Sequence, residues 1–205
     1  MSLYPLNPAY GQTMQTGAGQ THVVVDLGFI AHLKLDSSLA MALSNTGVHA
    51  AVTDNGAQQV VTTAISNPPY ARNITATAGG TGTDIKAIQV TIVGTDIDNQ
   101  PLTEVLPAFT LDTPGTVQGS KAFKTVTSIT IPAHDGLGAT TAIGFGNKIG
   151  LPDKLAHNTV LFAFLSTVKE ATAPTVAFDE GVLPGNTVLL NSALNGTPVD
   201  IYYVV

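Results

Sequence analysis

The chain has no cysteine and no tryptophan, and charged residues make up only 11% of its 205 positions, against a usual ~25%. Without cysteine there are no disulfide staples, no thiolate metal sites and no cysteine nucleophile, and the redox compartment leaves no signature. Phe and Tyr together reach only 6%. That scarcity, with tryptophan absent, argues against a sugar-stacking platform. Lys and Arg number 8 and form no run, so nucleic acid is not an expected partner, because phosphate neutralisation needs clustered cations. No apolar run approaches the ~20 residues of a membrane span; the longest dense one is Val160 to Leu165. The start, Met1-Ser2-Leu3-Tyr4-Pro5, lacks a basic region and an apolar region, so neither a secretory signal nor a membrane partner is expected.

What is present is 44% hydrophobic, with a net charge of -6. A charge-poor surface rich in Thr, Ala and Gly suits a protein packed against copies of itself or other partners. A surface solvated by hydroxyls is the alternative reading.

Residues 1–20 form an uncharged segment with Tyr4, Pro5, Pro8, Tyr10 and Gly11. They read either as a disordered terminus or as an extended arm that orders on a neighbouring subunit, with Tyr4, Pro8 and Tyr10 as contacts. Val23-Val24-Val25 reads as a short buried strand. Leu35 to Asn45 is the one plausible helix, capped by Asp36 or Ser37 and ended by Asn45-Thr46-Gly47, or else a loop with one turn.

From Val48 onward the pattern is β. Ile88-Gln89-Val90-Thr91-Ile92 alternates, as a half-buried strand requires. Val48–Val52 and Gln59–Ile65 flank Asp54-Asn55-Gly56, a hairpin signal. Ile85–Val93 and Leu102–Leu106 form a second hairpin around Asp96-Ile97-Asp98-Asn99-Gln100-Pro101. Further strands are expected at Arg72–Ala78, Phe109–Leu111, Ala122–Ile131, Ile143–Phe145, Thr159–Leu165, Thr175–Phe178, Thr187–Leu190 and Val199–Val205. In Ala122–Ile131 the apolar set changes face between Val126 and Ile129, which predicts a bulge. In the last strand Val199, Ile201, Tyr203 and Val205 share a face.

The expected fold is all-β: a β-sandwich, jelly roll or barrel with an extended N-terminal arm and at most one short helix. Residues 21–205 read as a single domain, with 21–47 as a possible accessory layer.

No motif survives a test for chemistry. The five histidines, His22, His32, His49, His134 and His157, show no metal-ligand spacing. His134-Asp135 sits among Pro132, Gly136 and Gly138 and reads as a polar turn. Asp96-Ile97-Asp98-Asn99 with Glu104 resembles the start of a calcium loop, but Pro101 and Pro107 occupy the positions that need glycine and a carboxylate. Gly79-Gly80-Thr81-Gly82 lacks the Lys-Ser/Thr of a phosphate loop. Gly144-Phe145-Gly146 is followed by Leu151-Pro152 instead of a helix. Its glycines leave one strand face bare for close backbone approach. No cofactor, metal or catalytic residue is expected.

The segment Asn67-Pro68-Pro69-Tyr70-Ala71-Arg72-Asn73-Ile74-Thr75-Ala76-Thr77 and the run Ile88 to Asp96, followed by Thr103-Glu104-Val105-Leu106-Pro107, carry a resemblance, as do Lys121 to Pro132 and Ile143 to Pro152. Together, over roughly residues 67–155, these segments resemble a group of small virion structural proteins of tailed bacteriophages. The resemblance carries no catalytic motif. It implies a protein made in the host cytoplasm and located on the virion, most simply a capsid decoration (cement) protein that is not an enzyme. Such a protein would bind the major capsid protein or other virion proteins as a homo-oligomer, with a trimer favoured. A tail, neck or baseplate component is the alternative. A carbohydrate- or receptor-binding module, with Tyr70 or Phe145 as contacts, is the alternative of another class. The hairpin tip at Asp96, Asp98 and Asn99 is a second expected contact, beside the arm.

Overall fold

The structure, a computed structural model, describes residues 12–14, 23–25 and 28–205. Tyr4, Pro8 and Tyr10 lie outside the described residues. The alternation of apolar and hydroxyl-bearing side chains resolves into strands whose pairings are all antiparallel. The first strands are β1 (Gln12–Met14), β2 (Val23–Val25), β3 (Ile30–Leu35), β4 (Ser44–Thr53) and β5 (Gln59–Val61). Next come β6 (Arg72–Gly80), β7 (Thr91–Thr95), β8 (Pro101–Val105), β9 (Gly115–Phe123), β10 (Thr125–Ile131) and β11 (Ala139–Gly150). The last are β12 (Val160–Leu165), β13 (Val168–Lys169), β14 (Thr175–Ala177), β15 (Thr187–Leu189) and β16 (Val199–Val204).

The sheets curl into a half-barrel around two apolar cores. One sheet runs β5-β10-β7-β8; a larger one runs β14-β15-β11-β6-β9, with β4 also on β11. Between them lies the first core, built from Ile74, Val90, Ile92, Phe123, Ile129, Ile143 and Phe145. The third sheet, β13-β12-β16-β3, closes over the end of β11. Leu35, Ile149, Leu151, Val188, Ile201 and Tyr203 fill that second core. The 12-residue β11 therefore serves both. A separate two-stranded sheet pairs β1 with β2.

Local chemistry accounts for the joints. The expected strand Ala122–Ile131 breaks at Lys124 into the end of β9 and β10, in different sheets, and β10 carries the expected bulge: its register with β7 shifts between Val126 and Ser128. Gly144 leaves β11 bare where β4 crosses it; a Cβ there would lie 1.9 Å from the Ser44 carbonyl oxygen. A side chain is thus excluded by backbone, as the bare-face reading of this strand anticipates.

Some expectations are corrected, and one pair of alternatives is decided. Of the two readings of Leu35 to Asn45, a helix or a loop with one turn, the structure shows the loop with one turn. Leu35 ends β3, the Leu39 and Ala40 N–H groups both donate to the Asp36 carbonyl in a single turn, and β4 begins at Ser44. Among the described residues the only helical segments are two three-residue 3-10 turns. Asp54-Asn55-Gly56 turns the chain, with Gly56 at φ +78°, yet it joins no hairpin. β4 pairs with β11 and β5 with β10, in different sheets. Phe109 is buried, but Phe109–Leu111 forms no strand. Val205 is 47% exposed and lies past the end of β16, away from the buried Val199, Ile201 and Tyr203.

Candidate functional site

Period-2 alternation in the third sheet sends Val199, Ile201 and Tyr203 into the second core and Asp200, Tyr202 and Val204 to the other face. The register carries this across the sheet. Tyr202 lies opposite His32 on β3 and Phe162 on β12, and Asp200 lies opposite Lys34 and Phe164. The outer face thus gathers aromatic rings. His32 stacks on Tyr202 at 4.2 Å between centroids and 5° between planes. Phe162 lies 5.2 Å from Tyr202 and meets Phe164 edge-on at 5.8 Å. His32 Nε2 is 2.7 Å from Asp200 Oδ1, which fixes the imidazole over the tyrosine. Lys169 Nζ sits 5.5 Å above the Phe162 ring. At the rim Phe29, Ile30 and Val168 are 65%, 68% and 69% exposed.

Beneath this face the sheet is anchored. The Tyr203 hydroxyl donates to Asp153 Oδ2; burial, then the Asp153 carboxylate, raise its pKa. Burial, helped by Asp153, also pushes the Tyr70 hydroxyl up to about 12. Both phenols stay neutral and act as structure.

The sheet ends on β3, whose second side is unpaired among the described strands. The Phe29 N–H donates to the Val205 carbonyl and the Val205 N–H to that of Phe29, each at 2.9 Å. From that hydrogen-bonded pair the antiparallel alternation continues, so Ala31, Leu33 and Leu35 face β16. Ile30, His32 and Lys34 direct their N–H and C=O groups to the open edge.

Asp96, Asp98 and Asn99 come together at the tip of the β7–β8 hairpin; its first strand begins at Thr91, so Ile85–Val90 of the expected Ile85–Val93 strand are not part of it. Asp96 is buried, and its Oδ1 accepts the Asp98 and Gln100 N–H groups. Asn99 has φ +62° and accepts a hydrogen bond from Lys124 Nζ at 2.9 Å. Asp96 and Asp98 line an open cleft of about 440 Å³ with Lys121, Lys154 and Leu183. Glu104 turns away from this tip and accepts the Ser120 and Lys121 N–H groups of β9. Its second oxygen, Oε2, is buried without a partner. Among the described residues no three His, Asp or Glu side chains gather as metal ligands, and no helix is long and apolar enough to cross a membrane.

His134 is buried in the turn read from its sequence. Its Nδ1 accepts the Lys86 N–H at 3.2 Å, so Nε2 carries the proton and donates to Thr141 Oγ1 at 2.9 Å. Its backbone N–H donates to Asp54 Oδ1. Burial lowers the imidazole pKa from 6.5, opposed by Asp54 and Asp135. Phe145 is only 4% exposed, which removes it as a sugar contact.

The aromatic face is absent from the sequence reading, which has Thr159–Leu165 only as a strand. The usable signal was Phe162 and Phe164 at spacing two, out of phase with Ala163. Comparison with family models, curated proteins and solved structures finds no match.

Proposed function

We propose that this chain is a structural component of a tailed-bacteriophage particle, a decoration protein that binds the outer capsid shell as a homo-oligomer and clamps major capsid subunits without covalent chemistry. The observation that carries the reading is the outer face of the third sheet. Tyr202, Phe162 and Phe164 offer large apolar area at small rotamer cost, and such side chains are the usual anchors of protein interfaces. Lys34, Asp200 and Lys169 border them with both signs of charge, which supplies a polar rim. The low charge of the whole chain fits a surface that is covered in use. The resemblance over 67–155 supplies the virion setting.

The test adds labelled protein to particles of the encoding phage and images them. Label over the head, weakened at least roughly tenfold in Tyr202→Ala or Phe162→Ala, is the expected result. Label confined to the tail or neck moves the protein to the tail module. No particle binding together with specific hits on a glycan array replaces the reading with receptor binding.

A further inference from the structure

We infer that the β1–β2 hairpin of one copy of this chain adds to the open edge of β3 in a second copy, and that this strand exchange holds the oligomer together. The inference deepens the oligomeric part of the proposed function and rests on that reading only there.

Two incomplete elements lie next to each other in the sequence. β1 and β2 are three residues each and, among the described strands, pair with one another alone. An isolated two-stranded ribbon is marginal in water and becomes stable on joining a sheet. β3 supplies what the hairpin lacks. It is six residues long and presents the free N–H and C=O groups of Ile30, His32 and Lys34. Such an edge is a template for another strand.

The hairpin suits the edge chemically. Val23-Val24-Val25 is β-branched throughout, the side-chain type best fitted to a pleated surface. The first charged residue of the chain is Asp26, so the added strand brings no charge onto the exposed Phe29 and Ile30 or the His32–Tyr202 stack. Residues 26–29 link β2 to β3, and among the described strands β2 is not paired with its own β3. Reciprocal exchange closes a two-fold dimer, and onward exchange closes a ring such as a trimer.

The absence of cysteine makes the test clean, since introduced thiols are unique. Thr13→Cys and Lys34→Cys chains carrying different tags are mixed and treated with a short bismaleimide, and particle mass is measured by light scattering. A cross-link between the two tagged chains is expected. A chain lacking residues 2–25, and separately Lys34→Pro, should each raise the dissociation constant at least roughly tenfold. Lys34→Pro removes an outward N–H while sparing the β3–β16 ladder, and an unchanged circular dichroism spectrum verifies its fold. A full-length monomer, an unchanged mass after deletion, an oligomeric Lys34→Pro chain, or a cross-link confined to single chains of a double Cys variant overturns the inference. A monomeric deletion variant that still binds capsids would support strand exchange and remove only the oligomeric part of the decoration reading. Loss of capsid binding by an oligomeric Tyr202→Ala chain would count for the docking face and leave strand exchange intact.

Discussion

At the scale of single residues, a buried cation is committed to backbone. Arg72 is fully buried and meets carbonyls instead of a carboxylate. Nε and Nη2 donate to Gly146 and Nη1 to Met41, and the guanidinium lies 5.3 Å from the Phe145 ring centroid. Burial pulls its pKa down to about 10, still far above neutrality, so the charge persists and the carbonyls offset its desolvation. Lysine has no fork to span Met41 and Gly146. Arg72→Lys should therefore cost about 2–4 kcal/mol, read as a lower urea midpoint. His134 offers a pH test. Its folded pKa lies below 6.5, so the unfolded chain binds the proton more readily. Stability is complete above the unfolded value and falls as pH drops from about 6.5 toward the folded pKa. His134→Asn keeps an acceptor for the Lys86 N–H and has no ring to protonate. Urea midpoints measured across that window should fall less steeply in the variant than in the parent.

At the scale of elements, Glu104 does the work of a missing ladder. β8 and β9 end their respective sheets and are not paired. Glu104 Oε1 bridges them by accepting the Ser120 N–H at 2.7 Å, the Ser120 hydroxyl at 2.9 Å and the Lys121 N–H at 3.2 Å. Glu104→Ala would strand those donors and should cost about 2–4 kcal/mol. Glu104→Gln retains one carbonyl oxygen and should lose less. Hydrogen exchange should show the Ser120 amide losing protection in the alanine variant first. The seam was illegible in the sequence, where Glu104 stood only as part of a calcium-loop pattern that Pro101 and Pro107 break. Alternation shows that Leu102, Glu104 and Leu106 share a face, but not that the face abuts another sheet's edge. The same limit explains Asp54-Asn55-Gly56. Its turn chemistry was correct, while the sheet receiving each flanking strand depends on long-range packing. Features set by neighbours in sequence, such as the Thr91–Val105 hairpin, the Val126–Ser128 bulge and the bare Gly144, were legible. The aromatic face was not, because which side of Val160–Leu165 is inner depends on β16, far along the chain.

At the scale of the molecule, one strand decides whether two cores behave as one body. Ile143 and Phe145 of β11 fill the first core, and Ile149 of the same strand fills the second. Where β11 passes between them it is pinned on both sides. Ile149 pairs with Arg72, and the Gly150 N–H donates to Ala71. The Leu151 N–H donates to Asn186. Asn186 is itself fully buried, with Oδ1 accepting the Leu155 and Asp179 N–H groups. Melting either core alone would tear these bonds from a strand the other core still holds, so unfolding should be a single cooperative transition. Ile143→Ala and Ile149→Ala should each cost about 2–5 kcal/mol and move one shared midpoint. With Tyr4→Phe and Tyr10→Phe in the background of every chain, the remaining tyrosines, Tyr70, Tyr202 and Tyr203, belong to the region of the second core, so tyrosine fluorescence follows that half. Exchange of amides in 88–94 follows the first. Coincident urea curves from the two probes, in the parent and in both variants, are the expected outcome. Curves that separate, with Ile149→Ala shifting only the tyrosine signal, would mean that β11 yields between the cores and that residues 28–205 hold two folding units.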